Sequence, residues 1–122
     1  MRKWLLGIVV GLCALQGAMA VSIGEYRRQR DSVNVAAFKL TRTYLTGVVA
    51  GYIWANAHAA EKKAPLLFCQ PPPITADLDV PRLMDEEIGQ INVTDDYPAE
   101  LVLLEALIRA YPCDSLPDSN LH

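Results

Sequence analysis

Apolar residues recur at helical spacing along most of the chain. Residues 34–61 contain no proline, and their apolar side chains return every three or four positions, which predicts one long helix of roughly 40 Å. A second helix is predicted to begin at a cap formed by Asp77 or Asp79 and to tolerate Pro81 in its first turn. Its predicted apolar face consists of Val80, Leu83, Met84, Ile88 and Ile91.

A third helix is predicted to begin at Pro98, because proline suits the first helical position, and to end near Tyr111, before Pro112. Most of its residues are apolar, so we expect it to lie in the core. Residues 92–96 form a polar loop before it, and residues 21–33 form either a short helix or a loose arm. The pattern therefore predicts a small all-α protein of three to five helices.

One side of the long helix is made of small residues. Two glycines on that side are unfavourable for a helix, each by up to ~1 kcal/mol relative to alanine, which indicates that another backbone packs closely there. We expect the long helix to be covered on both sides. Because the domain has few helices to supply a neighbour, we expect a homodimer to form at this side. The small residues are Thr43, Gly47, Ala50 and Gly51, and the side ends at Trp54.

The first twenty residues have the pattern of an export signal. A basic start precedes an apolar run over residues 4–15, and Ala18-Met19-Ala20 places small residues at the two positions that a signal peptidase reads. The apolar run is shorter than the ~20 residues of a membrane-spanning helix. We therefore expect the mature chain to begin near Val21, without a membrane anchor, and to be released into the periplasm.

The mature chain is short enough to be a single domain. We expect a helical domain over residues 34–113 and a loose tail over residues 114–122. Loss of Arg2 and Lys3 with the signal changes the formal net charge from −3 to −5. This acidic balance disfavours nucleic acid and anionic membrane surfaces as partners and is compatible with a basic protein partner.

Two cysteines remain once the signal, which carries Cys13, is removed. Cys69 lies on the strap, our name for residues 64–74, which we expect to be extended because three consecutive prolines fix φ and remove amide donors. Cys113 follows the third helix. Two cysteines in an exported chain most simply form one disulfide, so we expect the strap to be joined to the end of the core helix.

No group of residues predicts catalysis. His58 and Glu61 lie three positions apart, but this is not the two-histidine spacing of zinc sites, and a surface histidine is the simpler interpretation. Runs of carboxylates such as residues 85–87 are usually solvated. The chain has no phosphate-binding loop, nucleophile elbow or dinucleotide fingerprint. We therefore predict a binding protein, not an enzyme, with no metal or cofactor.

Three groups of residues together resemble a known family. They are Tyr44-Leu45-Thr46-Gly47-Val48 with Gly51 and Trp54-Ala55-Asn56, then Leu67-Phe68-Cys69 with the prolines after it, and then residues 103–107 leading into Ala110-Tyr111-Pro112-Cys113. They resemble the Rap/Tai-type immunity proteins, small exported helical proteins that protect bacteria from peptidoglycan amidase toxins delivered by type VI secretion. The resemblance covers roughly residues 38–113, and the Phe-Cys-x-Pro strap and the aromatic-Pro-Cys end are its most specific parts.

The resemblance implies an all-helical fold, a periplasmic location, frequent dimers, and inhibition by a loop that blocks the active-site groove of the toxin. It assigns the disulfide to Cys69 and Cys113 and close packing to Gly47 and Gly51. The toxin contacts vary within the family and carry no motif. Pro81 departs from the uninterrupted second helix that the family leads us to expect.

The loop before the third helix is the predicted partner contact. Asp95, Asp96 and Tyr97 make it acidic and aromatic, and so able to approach a basic catalytic histidine of an amidase. The alternative is that these residues form a capping turn for the third helix. For the whole protein, the alternative to an amidase inhibitor is a periplasmic chaperone of the acid-stress kind, which is also small, helical and joined by a single disulfide.

Overall fold

The computed structural model describes residues 21–69 and 78–113, which form a small helical bundle. These residues contain no β-strand, only an isolated antiparallel bridge between Ser22 and Pro98, so the all-α prediction is confirmed. The predicted export signal, the predicted tail, Asp77 and the three prolines of the strap lie outside the described residues. The four helices of the described part are α1 (Ile23–Arg30), α2 (Val35–Glu61), α3 (Val80–Gln90) and α4 (Ala99–Ala110).

Side chains just before three of the helices satisfy their first backbone donors. Ser22, Asn34 and Asp79 each accept a hydrogen bond from the backbone N–H three residues later. Asp79, one of the two predicted caps, therefore begins α3, and Pro81 lies in its first turn as predicted. Pro98 stands at the cap position of α4, one residue before the helix begins.

Most of residues 21–33 form a helix, not a loose arm. The side chains of Ile23 and Tyr26 in α1 are among the most buried of the described residues, at 0% and 1% exposed. The ring of Tyr26 meets the ring of Phe38 on α2 edge to face, with 6.1 Å between centroids. The first helix is therefore part of the core.

The centre of the core lies between α3 and α4, which make the most extensive contact between two helices. Helix α4 is the core helix, as predicted, although Leu101 points out and is exposed. Val80, Leu83 and Met84 of the predicted apolar face of α3 are buried. The buried residues of α4 are Ala99, Val102, Leu103, Ala106 and Leu107.

One buried side chain of α2 holds the middle of the described strap. Asn56, which is buried, donates from Nδ2 to the backbone oxygen of Phe68 at 2.5 Å and accepts at Oδ1 from the backbone N–H of Leu67 at 2.9 Å. The Asn56 side chain therefore pairs with both a backbone acceptor and a backbone donor of the strap, as another strand of backbone would. The strap thus places the Phe68 side chain in the core, where it is fully buried.

The end of the described strap is joined to the end of α4. The backbone N–H of Cys69 donates to the backbone oxygen of Tyr111 at 2.8 Å. The sulfur atoms of Cys69 and Cys113 lie at bonding distance, and their Cα atoms are 4.7 Å apart, as the predicted disulfide requires. The cysteines are 44 residues apart, and closing a loop of that length contributes ~4 kcal/mol in the chain-entropy model.

Among the described residues, helix α2 is buried on one side only. The expectation that it is covered on both sides is wrong for the part of the chain that the structure describes. A Cβ atom added at Gly47 or Gly51 would meet no atom of those residues within 4 Å, so the close packing predicted at these glycines does not form there. The buried residues of α2 are Thr41, Leu45, Val49 and Asn56.

Candidate binding surfaces

The uncovered side of α2 is an uncharged stripe that we call the α2 outer face. Leu40 and Trp54 are 73% and 74% exposed at its two ends, and Tyr44 lies at its edge. Thr43 donates its hydroxyl to the backbone oxygen of Lys39 within the helix, at 2.9 Å, so this hydroxyl adds little polarity to the surface. Charge depletion and exposed aromatic residues are typical of the centre of a protein interface. The α2 outer face consists of Leu40, Thr43, Tyr44, Gly47, Ala50, Gly51 and Trp54.

The loop predicted to contact a partner is fixed to α1. The backbone N–H of Ile23 donates to the backbone oxygen of Tyr97, and that of Gly24 to the backbone oxygen of Asp95, both at 2.9 Å. The Asp95 carboxylate also accepts from Arg27 Nη1 at 2.9 Å. The loop is therefore held at its backbone, and Asp95 already has an ion-pair partner within the chain.

Asp96 has a different position from Asp95. Its side chain is exposed, and its carboxylate accepts a hydrogen bond from the neighbouring Thr94 hydroxyl. Tyr97 is half-buried and packs against the core. The three predicted contact residues thus lie together in one short loop, and Asp96 is the one whose carboxylate bonds only within that loop.

The contact between α1 and the loop leaves no room for a side chain at Gly24. A Cβ atom added there would come within 2.9 Å of Asp95 Cβ and 3.1 Å of the Asp95 backbone oxygen. Real Cβ atoms do not approach other atoms so closely, so glycine is required for α1 to meet the loop. Neither Gly24 nor its contact with the loop was predicted from the sequence.

Asp85 of α3 also binds α1. Its carboxylate accepts from the Tyr26 hydroxyl at 2.9 Å and from Arg30 Nη2 at 3.0 Å. Burial, and then the hydrogen bond to Asp85, raise the pKa of the Tyr26 hydroxyl above its ordinary value, and the same carboxylate raises the pKa of Arg30. Asp85 is exposed, as expected for a solvated run, but its carboxylate also ties α3 to α1, which was not predicted.

Glu87 is an exception to the predicted solvated run. Its side chain is only 2% exposed, and its carboxylate accepts from Arg109 Nε at 2.7 Å and Nη2 at 3.1 Å. The bond to Glu87 raises the pKa of Arg109. A carboxylate can lie this deep because the two-pronged guanidinium satisfies both of its oxygens. This pair joins α3 to α4.

Glu100 of α4 forms hydrogen bonds with Val21 and with two tyrosines of α2. Its Oε1 accepts from the backbone N–H of Val21 at 2.9 Å and from the Tyr44 hydroxyl at 2.7 Å, and its backbone oxygen accepts from the Tyr52 hydroxyl at 2.9 Å. The hydrogen bond to Glu100, with some burial, raises the pKa of Tyr44 to about 12. The other carboxylate oxygen, Oε2, is buried and has no partner in the described structure.

Neither a metal site nor a membrane span is found in the described part of the chain. Residues 21–69 and 78–113 contain no group of three or more His, Cys, Asp or Glu side chains that could hold a metal ion. His58 is exposed. None of the helices formed by these residues is both long and apolar enough to cross a membrane.

No family model, curated protein or solved structure matches the chain. The resemblance to the immunity proteins therefore rests on the residues quoted above, and what it implies about function is a proposal.

Proposed function

We propose that this protein is a periplasmic immunity protein that neutralises a peptidoglycan amidase of type VI secretion by blocking its active-site groove. The loop that carries Asp96 is the observation that supports this proposal best. Its backbone is fixed to α1 at two points and continues into α4, while the Asp96 side chain remains exposed. A groove-blocking inhibitor needs such a rigid, exposed element, because a loop already held in place loses little conformational entropy on binding.

The charge of the chain and the family resemblance agree with this role. The net charge of −5 expected after export favours a basic partner surface, and an exposed carboxylate suits a groove with a catalytic histidine. The protein itself supplies no catalysis in this proposal and needs no cofactor.

Inhibition of an amidase encoded beside this protein tests the proposal. The purified protein is expected to stop that enzyme from cleaving peptidoglycan and to hydrolyse nothing alone. Asp96→Lys is expected to weaken inhibition at least tenfold without a change in melting temperature, because its carboxylate holds no other part of the fold. Glu61→Lys, the same charge change at the exposed end of α2, is the control and is expected to inhibit normally.

Three outcomes would contradict parts of the proposal. Unchanged inhibition by Asp96→Lys would show that another surface meets the toxin. Equal loss of inhibition and stability would make Asp96 structural, in the capping turn that was the alternative for this loop. Failure to inhibit any neighbouring amidase would contradict the immunity function itself.

A periplasmic acid-stress chaperone is the second candidate, and one arrangement favours it. Three carboxylates, those of Asp85, Asp95 and Glu100, hold α1 and nearby Val21 to the rest of the molecule. Loss of these contacts would uncover the apolar side chains of Ile23 and Tyr26, which are 0% and 1% exposed. Suppression of client aggregation at low pH, without amidase inhibition, would favour this function.

A further inference from the structure

The backbone nitrogen of Val21 lies beside the Glu100 carboxylate, one oxygen of which accepts no hydrogen bond in the described structure. Glu100 Oε1 is 2.9 Å from this nitrogen, and Oε2 is buried without a hydrogen-bond partner in the described structure. A buried carboxylate oxygen that lacks a donor is unfavourable. Val21 is also the residue at which the export pattern predicts the mature chain to begin.

We propose that Glu100 is a binding site for the new α-ammonium group that export creates at Val21. The inference rests on the proposed export of the protein and not on its partner. Hydrolysis of the Ala20–Val21 amide consumes one water, leaves the carboxylate on Ala20, and leaves the amine on Val21, which takes up a proton. The single N–H that now meets Glu100 becomes a positively charged group with three donors.

The surrounding backbone already holds Val21 in place for this pairing. The backbone oxygen of Val21 accepts from the N–H of Ala99 at 2.7 Å, and the N–H of Ile23 donates to the backbone oxygen of Tyr97 at 2.9 Å. The nitrogen therefore stays beside Glu100 after cleavage. Because the two oxygens of a carboxylate share one carbon, an ammonium group at Oε1 can also donate to Oε2.

The groups that face this nitrogen define its pH dependence. The Glu100 carboxylate on α4 faces it, and from α2 the Tyr44 hydroxyl donates to that carboxylate and the Tyr52 hydroxyl to the Glu100 backbone oxygen. A carboxylate beside an amine favours the protonated amine, so we expect the pKa of the α-amine to lie above its ordinary 7.7–8.0. A raised pKa in the folded state adds stability below pH ~8, and this stability is lost as the pH rises through the raised value.

A comparison of two N-termini tests the proposal. One protein is exported and cleaved normally, and the other carries an inserted Gly-Ser between Ala20 and Val21, so that cleavage leaves Val21 as an amide. Intact mass identifies each N-terminus. Glu100→Gln is expected to lower the folding equilibrium constant roughly tenfold more in the first protein than in the second, because only the first has the ammonium group beside residue 100.

Direct titration of the amine gives a second measurement that does not depend on the folding of the variant. NMR of the cleaved wild-type protein, ¹³C-methylated at its amines, is expected to show the α-amine pKa raised by about one unit. An ordinary pKa, or an equal effect of Glu100→Gln in both proteins, would overturn the inference and leave the amidase assays unaffected. A mature chain that does not begin at Val21 would overturn it together with the predicted cleavage site.

Discussion

At the scale of single residues, polar side chains placed on buried faces organise the fold. Asn56 lies on the same side of α2 as Leu45 and Val49, where an uncharged polar residue needs partners of its own. It finds them in the backbone of the strap. The position of Asn56 on an otherwise apolar face is a signal that the sequence does contain, although its partners cannot be read from it.

Asn56→Ala is expected to destabilise the protein by about 2–4 kcal/mol, because it leaves a backbone donor and a backbone acceptor of the strap without partners. Thermal and urea unfolding measure the loss. Asn92→Ala, at an exposed position, is the matched control and is expected to change the stability by less than about 0.5 kcal/mol. Equal stability of the two variants would show that Asn56 is not needed to hold the strap.

Charged residues were harder to place from the sequence than apolar ones. Asp85 and Glu87 stand in a run that is typical of solvated helix surfaces, yet each meets an arginine from a different helix. Such partners lie far away in sequence, 55 residues for Arg30 and 22 for Arg109. Local charge patterns carry no information about contacts at that distance, so both ion pairs were missed, and the expectation of a solvated side chain was wrong for Glu87 but not for Asp85.

At the scale of helices, the predictions succeeded where periodicity and caps were strong. The long helix, the cap at Asp79 and the core position of α4 follow from apolar spacing and proline placement. Helix α1 was left open because it has only eight residues and three arginines in its last turn. Its two buried apolar side chains are too few to establish a period.

The junction of α1 with the loop gives a prediction at this scale. Gly24→Ala is expected to destabilise the protein by about 1–3 kcal/mol, because the added methyl group collides with Asp95 and pushes α1 away. Gly89→Ala is the control, since that position in α3 has open space around it, and alanine there is expected to stabilise by up to about 1 kcal/mol. Urea unfolding shows whether each variant loses or gains stability. Stabilisation by Gly24→Ala as well as by Gly89→Ala would contradict the tight contact at Gly24.

At the scale of the whole molecule, the α2 outer face is a surface that the described residues leave uncovered. Two of its glycines have open space around them, so a second helix backbone could approach closely there. The small residues of this face predicted that another helix packs closely against it. The sequence alone could not show whether that helix belongs to the same chain. We infer that a second copy of the protein packs against this face.

Gly47→Leu tests that inference. The wild-type protein is expected to sediment as a dimer at high micromolar concentration, and Gly47→Leu to weaken the dimer at least tenfold, because the larger side chain keeps the two helices apart. Gly89→Leu makes the same change at an open helical position outside the face and is expected to leave the dimer intact. A monomeric wild-type protein at this concentration would contradict self-association.

The position of α1 has a consequence for how an exported chain acquires its fold. Ile23 and Tyr26 would be among the first mature residues to cross the membrane, yet the groups that receive them, at residues 81–100, cross much later. In the proposed export, the core around α1 can therefore be completed only after these later residues have crossed. The protein would stay unfolded enough to be translocated until α4 has crossed the membrane. It would then fold in the compartment where its two cysteines can be oxidised.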